Sequence, residues 1–145
     1  MSNLVMMMLM VCGGMAVAIQ PSINARLAQK TGAYESSLIS FAVGTLAMLA
    51  VVLLMGKGSL RGVASASWWE LTGGLFGAFF VTLTIMTVPR LGTAAVMAAI
   101  IAGQLLSGSV MDHFGAFGLR QIPFTMTRAL GILLLAAGAA LIIKR

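Results

Sequence analysis

Five stretches of the chain are apolar enough, for long enough, to read as membrane-spanning helices. The first covers residues 4–28. It carries no charge from Leu4 to Ile19, and its apolar pattern resumes at Leu27 and Ala28. A helix over that span is roughly 37 Å long at 1.5 Å per residue, which exceeds a hydrocarbon core of about 30 Å. Its last two turns are therefore expected to reach the interface or to enter a protein-lined cavity. The second span is read over 33–55, the third over 68–88, the fourth over 93–114 and the fifth over about 126–143. Short polar segments separate them. Pro89-Arg90-Leu91-Gly92 reads as a tight turn, and 115–127 is the longest connection, with Leu119, Ile122, Pro123 and Phe124 expected on the interface. The predicted fold class is all-α integral membrane, with 1–145 forming a single transmembrane domain.

The segment from Gln20 to Arg26 interrupts the first apolar run without ending it. Pro21 has no N–H, so the carbonyl of Val17 loses its usual helical donor, which favours a kink that neighbouring polar groups or water satisfy. Gln20 and Asn24 are four apart and share a helix face. Two readings follow: an interhelical hydrogen-bonded joint, as amides commonly form between membrane helices, or a solute-contacting site with Pro21 as its hinge. Gln104, the strongly polar side chain near the middle of the fourth span, divides in the same way.

Glu35 lies in the first turn of the second span, where a carboxylate suits the helix dipole and has Arg26 and Lys30 within reach across the loop. The sharper reading makes it an ion-coupling group facing a cavity, since intramembrane ionisable residues are functional candidates. Gly73 and Gly77 form a small-xxx-small pair, and Ala99, Gly103 and Ser107 recur every four residues, both patterns suited to close helix packing. Trp68-Trp69 fits the aromatic belt of a membrane interface, and Glu70 beside them complements a helix N-terminus. Gly56-Lys57-Gly58-Ser59 lacks the spacing of a phosphate-binding loop and reads as a helix cap and connection.

Composition agrees with the pattern. Of 145 residues, 60% are hydrophobic and 8% charged, whereas soluble domains are about a quarter charged. The formal charge of +6 comes from nine Lys or Arg and three acidic residues. The basic residues are scattered one or two per connection, with Lys144-Arg145 after the last span, so nucleic acid is not an expected partner. Cys12 and His113 are single residues of their kinds, which supplies neither an intrachain disulfide nor a metal-ligand cluster, and no cofactor is expected. Asp112 beside His113 lacks a nearby nucleophile, so catalysis is not expected. No Lys or Arg precedes Arg26, as a signal peptide would require, and Leu9-Met10-Val11 before Cys12 fits a lipoprotein box poorly. Residues 4–28 are therefore read as a retained first helix.

Five spans place Lys57, Arg61, Arg120 and Arg128 on one side and Arg26, Lys30, Arg90, Lys144 and Arg145 on the other. Such balance gives the positive-inside rule nothing to choose by. Two oppositely inserted copies then pair antiparallel and create an inverted repeat with a site near the midplane.

Several short motifs, in order along nearly the whole chain, carry a family likeness. They are Gln20 with Asn24, Ser40-Phe41 with Val43-Gly44-Thr45, Trp68-Trp69 with Gly73-Gly74, Pro89-Arg90-Leu91-Gly92, Gly103-Gln104-Leu105 and Asp112-His113-Phe114-Gly115. In these the chain resembles the YdcZ-like family of small five-helix proteins in the drug/metabolite transporter superfamily. The resemblance implies a multi-pass bacterial inner-membrane protein and a family with single-chain, paired and fused ten-helix members. It supplies no substrate. The distantly similar small multidrug resistance proteins use a carboxylate in the middle of their first helix, and this sequence has none there.

The expected function is therefore small-solute transport across the bilayer by an antiparallel homodimer. Gln20, Asn24 and Gln104 of both chains line its polar site, Pro21 is its hinge and Glu35 a candidate for ion coupling. A passive channel and a non-transporting scaffold or accessory subunit are the alternatives.

Overall fold

The computed structural model describes residues 2–143. The basic pair Lys144-Arg145 read as the stop after the last span lies outside the described residues. Those residues form five long helices and no strand: α1 (Asn3–Thr31), α2 (Ala33–Met55), α3 (Gly73–Leu91), α4 (Thr93–Phe114) and α5 (Met126–Ile143). Each is long and apolar enough to cross a membrane, α3 when counted with the 3-10 turn before it. The chain divides into two compact units, the first ending at Arg90 and the second beginning at Leu91.

In the first unit α1 and α2 are separated by one residue. Gly32 takes φ +100°, a conformation that side chains rarely adopt. Its N–H donates to the Ala28 carbonyl at 2.9 Å, and its own carbonyl accepts from Ser36 N–H at 3.0 Å. A turn this short folds α2 back along α1. Burial on the pair is concentrated near it, at Pro21, Asn24 and Ala25 on α1 and at Ser36 and Ser37 on α2. Helix α1 extends past the expected end at residue 28 to Thr31, whose hydroxyl donates to the Leu27 carbonyl at 3.2 Å.

The third span does not begin as an α-helix at Trp68. Trp68–Thr72 is a 3-10 turn, fixed by a capping box in which Glu70 accepts from the Ser67 N–H at 2.6 Å. Helix α3 then buries Val81, Thr84, Ile85 and Val88, a stripe at helical spacing. Thr82 Oγ1 lies 2.9 Å from Ser37 Oγ and also donates to the Ala78 carbonyl at 2.8 Å. At Gly77 an added Cβ would stand 3.3 Å from Cζ of Phe41, so the α2 ring rests where this glycine has no side chain. The expected tight turn from Pro89 is shorter than read: α3 continues through Pro89 to Leu91, and Gly92 at φ +83° alone precedes α4.

In the second unit α4 packs on α5. Gly115, at φ +58°, caps α4 in the left-handed conformation. The following segment folds back on the helix end. Ile122 N–H donates to the Asp112 carbonyl at 2.8 Å, and Gln121 Nε2 donates to that of His113 at 2.9 Å. Phe124 N–H donates to His113 Nδ1 at 3.1 Å, so that nitrogen is the acceptor of the ring and Nε2 carries the proton.

The Phe41–Gly77 contact makes a direct prediction. Gly77→Val overpacks it and destabilises the fold by about 1–3 kcal/mol, read as a lower unfolding temperature in detergent. In a Phe41→Ala background the same change costs less, and equal costs in both backgrounds would show that the contact is not the cause.

Candidate functional site

Within the first unit, the buried polar groups beside the Gly32 turn are mutually satisfied. Ser36 is fully buried and its hydroxyl donates to the Asn24 carbonyl at 2.8 Å. Asn24, 7% exposed, donates through Nδ2 to Ser40 Oγ at 3.1 Å. Among the described residues no buried side-chain nitrogen or oxygen lacks a partner. Asn24 is thus held as an α1–α2 joint, and it presents Ser40 rather than itself.

Next to that joint, away from the turn, lies a cleft of about 540 Å³. Its polar groups are Gln20 from α1 and Ser40 and Thr45 from α2. Gly44 leaves room between them, and Phe41, Met48, Leu49 and Val52 continue the wall in apolar form. No charged side chain lines it, and its volume falls in the range of small-ligand pockets, about 300–1,000 Å³. Gln20 therefore faces the cleft, Asn24 supports it from behind, and Pro21 is buried beside both. Ser40 and Thr45 are lining residues that residue type alone marks only as packing groups. Their signal in the sequence is the motif Ser40-Phe41 with Val43-Gly44-Thr45, all but Val43 of which line the cleft.

Glu35 is exposed at the start of α2. It makes no ion pair with Arg26 or Lys30, and its carboxylate instead folds over Gly32, where an added Cβ would collide with it. That places the negative charge at the helix N-terminus, which the dipole favours. Gly73 has open space where a side chain would be, unlike Gly77.

In the second unit Gln104 lines a separate cleft of about 380 Å³ between α4 and α5, together with Gly108, Ser109, Asp112, Arg128 and Gly131. Arg128 Nη1 donates to Asp112 Oδ2 at 3.0 Å, the ion pair among the described residues. Sixteen residues separate the two in the chain, and helical spacing alone does not bring them together. Ala99, Gly103 and Ser107 are all exposed. At about 100° per residue they lie on roughly the opposite side of α4 from Gly108 and Asp112, which face α5. The stripe is thus a surface of this chain, not part of the α4–α5 contact. The described residues contain no group of His, Cys, Asp or Glu able to hold a metal ion.

Comparison of the sequence with known proteins places the chain in a family. Residues 5–141 match the family model described as "Putative inner membrane exporter, YdcZ". The chain is also 31% identical over 147 aligned residues to "Inner membrane protein YdcZ" of Escherichia coli (strain K12), covering 94% of this chain and 93% of that protein. No solved structure matches. The family is described by export, not by an enzymatic activity. With the match running through all five apolar helices, the chain belongs to the YdcZ family of the drug/metabolite transporter superfamily and is a multi-pass protein of the bacterial inner membrane.

Proposed function

We propose that this protein carries a small solute across the inner membrane as an antiparallel homodimer, the whole chain of each copy serving as one transmembrane domain. The observation that carries the reading is the uncharged cleft beside the α1–α2 joint, where Gln20, Ser40 and Thr45 offer hydrogen bonds above an apolar wall. Membership of a family described as an exporter supports transport as its use. In the proposed dimer Gln20, Asn24 and Gln104 of both copies serve the solute path: Gln20 and Gln104 by contact, and Asn24 by holding Ser40 in place. Pro21 is the point at which α1 rearranges, because the Val17 carbonyl has no helical donor to lose there. Glu35, exposed at the mouth of α2, is the candidate for coupling a cation. The small-residue stripe of Ala99, Gly103 and Ser107 is free to receive a helix of the second copy, since small residues allow close backbone approach.

Amide-lined sites suit neutral, hydrogen-bonding solutes. For a solute that the wild-type protein moves in proteoliposomes, Gln104→Leu and Gln20→Leu are each expected to reduce flux by about tenfold, the equivalent of one lost hydrogen bond, with dimer assembly intact. Loss of assembly instead would make these residues packing groups. Concentrative, saturable flux supports a transporter, purely downhill and unsaturable flux a channel, and no flux a scaffold.

Orientation is tested by single cysteines, placed at the C-terminus or in the loop after α2 of a Cys12→Ser background, and labelled in intact cells with an impermeant reagent. Balanced flanking charge leads to labelling of about half the molecules at each position. Complete labelling or complete protection would remove the antiparallel homodimer.

A further inference from the structure

The cleft between α4 and α5 differs from the first in carrying charge, and its ion pair is placed where each helix disfavours it. Asp112 lies in the last turn of α4, at the negative end of that helix, and Arg128 is the third residue of α5, at the positive end. Neither charge is supported by its own helix, so only their mutual contact and the solvent that reaches both offset the two helix dipoles. The pair is also incompletely joined. The guanidinium uses one N–H, through Nη1, to reach one carboxylate oxygen, although it has five N–H donors suited to forked recognition of carboxylate or phosphate. The side chains remain 35% exposed for Arg128 and 43% for Asp112, which leaves both reachable.

Below the pair the cleft has an apolar floor. Gly108 on α4 and Gly131 on α5 both face open space where a side chain would begin, and Leu105, Ile132 and Leu135 continue the wall toward Gln104. We propose that this cleft is a binding site for the phosphate or carboxylate group of an amphiphile. The anionic head exchanges with Asp112 for the guanidinium of Arg128, and the apolar body lies over Gly108 and Gly131. Asp112 is then the resident counter-ion that holds Arg128 in place when the site is empty. The site does not depend on solute transport through the first cleft. A phospholipid headgroup and a free solute present the same chemistry to it.

The pair predicts effects of opposite sign. The full chain purified in a neutral detergent is titrated with short-chain phosphatidylglycerol, with inorganic phosphate and, as a control, with short-chain diacylglycerol, which has the same apolar body and no phosphate, and binding is read by calorimetry. Asp112→Asn removes the competing carboxylate and tightens anion binding by up to about fivefold, the factor that ~1 kcal/mol of exposed ion pair represents. Arg128→Gln weakens it by about tenfold or more. Should Arg128→Gln fail to fold, Gly131→Leu fills the cleft while leaving the pair intact, and it abolishes binding of the lipid. Binding of phosphatidylglycerol without inorganic phosphate assigns the site to a lipid head, and binding of inorganic phosphate assigns it to free anions. The proposal is overturned if neither anion binds the wild type or Asp112→Asn, if the phosphate-free diacylglycerol binds equally well, or if Asp112→Asn weakens binding as Arg128→Gln does.

Discussion

In hydrocarbon an unpaired backbone amide or carbonyl costs several kcal/mol, so the chain can cross only as helices whose turns leave little unbonded. The connection at Gly32 shows how far this is carried. A single residue reverses the chain, yet its N–H and its carbonyl both enter hydrogen bonds, one with the helix before and one with the helix after. The end of α4 solves the same problem with a longer segment, since the carbonyls of Asp112 and His113 accept from Ile122 and Gln121. Loop residues 121–124 are thereby tied to the helix they follow.

The same cost organises the polar side chains. Ser36 takes up the Asn24 carbonyl, and the Asn24 amide takes up Ser40. Pro21 is buried next to this group, so the segment that lacks a helical donor lies against the best-bonded part of the unit. A rearrangement of α1 at Pro21 would move Gln20 relative to Ser40, both of which line the first cleft. α1 runs unbroken through Pro21, and the joint links this proline to the lining of the cleft.

Much of the helical plan was legible because long uncharged runs leave few alternatives in 145 residues. Spans 33–55 and 93–114 needed only apolar length and a bounding glycine, Gly32 or Gly92. Pro89 misled because a proline is a helix stop in water, whereas in α3 it sits in the last turn, where only the Ile85 carbonyl loses a donor. Trp68–Thr72 was hidden for a related reason. Apolar content does not distinguish a 3-10 turn from an α-turn, and the difference lies in backbone bonds of i to i+3 spacing such as Glu70 N–H to the Ser67 carbonyl. Around the candidate site, Gln20 and Asn24 stood out as amides in an apolar run, but their different tasks did not. Which amide bonds to α2 depends on a neighbour sixteen residues away. The Arg128–Asp112 pair is likewise a long-range contact, and each residue alone looked like an interfacial charge.

The polar groups that line the clefts differ in chemistry with distance from the helix ends. Gln104 lies near the middle of α4 and Gln20 eleven residues before the end of α1, whereas Asp112 and Arg128 occupy a last and a first turn. A charge at the bilayer centre costs at least about 2.5–3.5 kcal/mol on insertion scales. A neutral amide with a partner costs far less. Charged recognition is therefore confined to depths where water or headgroups can reach the ion pair. Farther from the helix ends the polar groups are neutral, and the lining of the first cleft has an amide, two hydroxyls and an apolar wall.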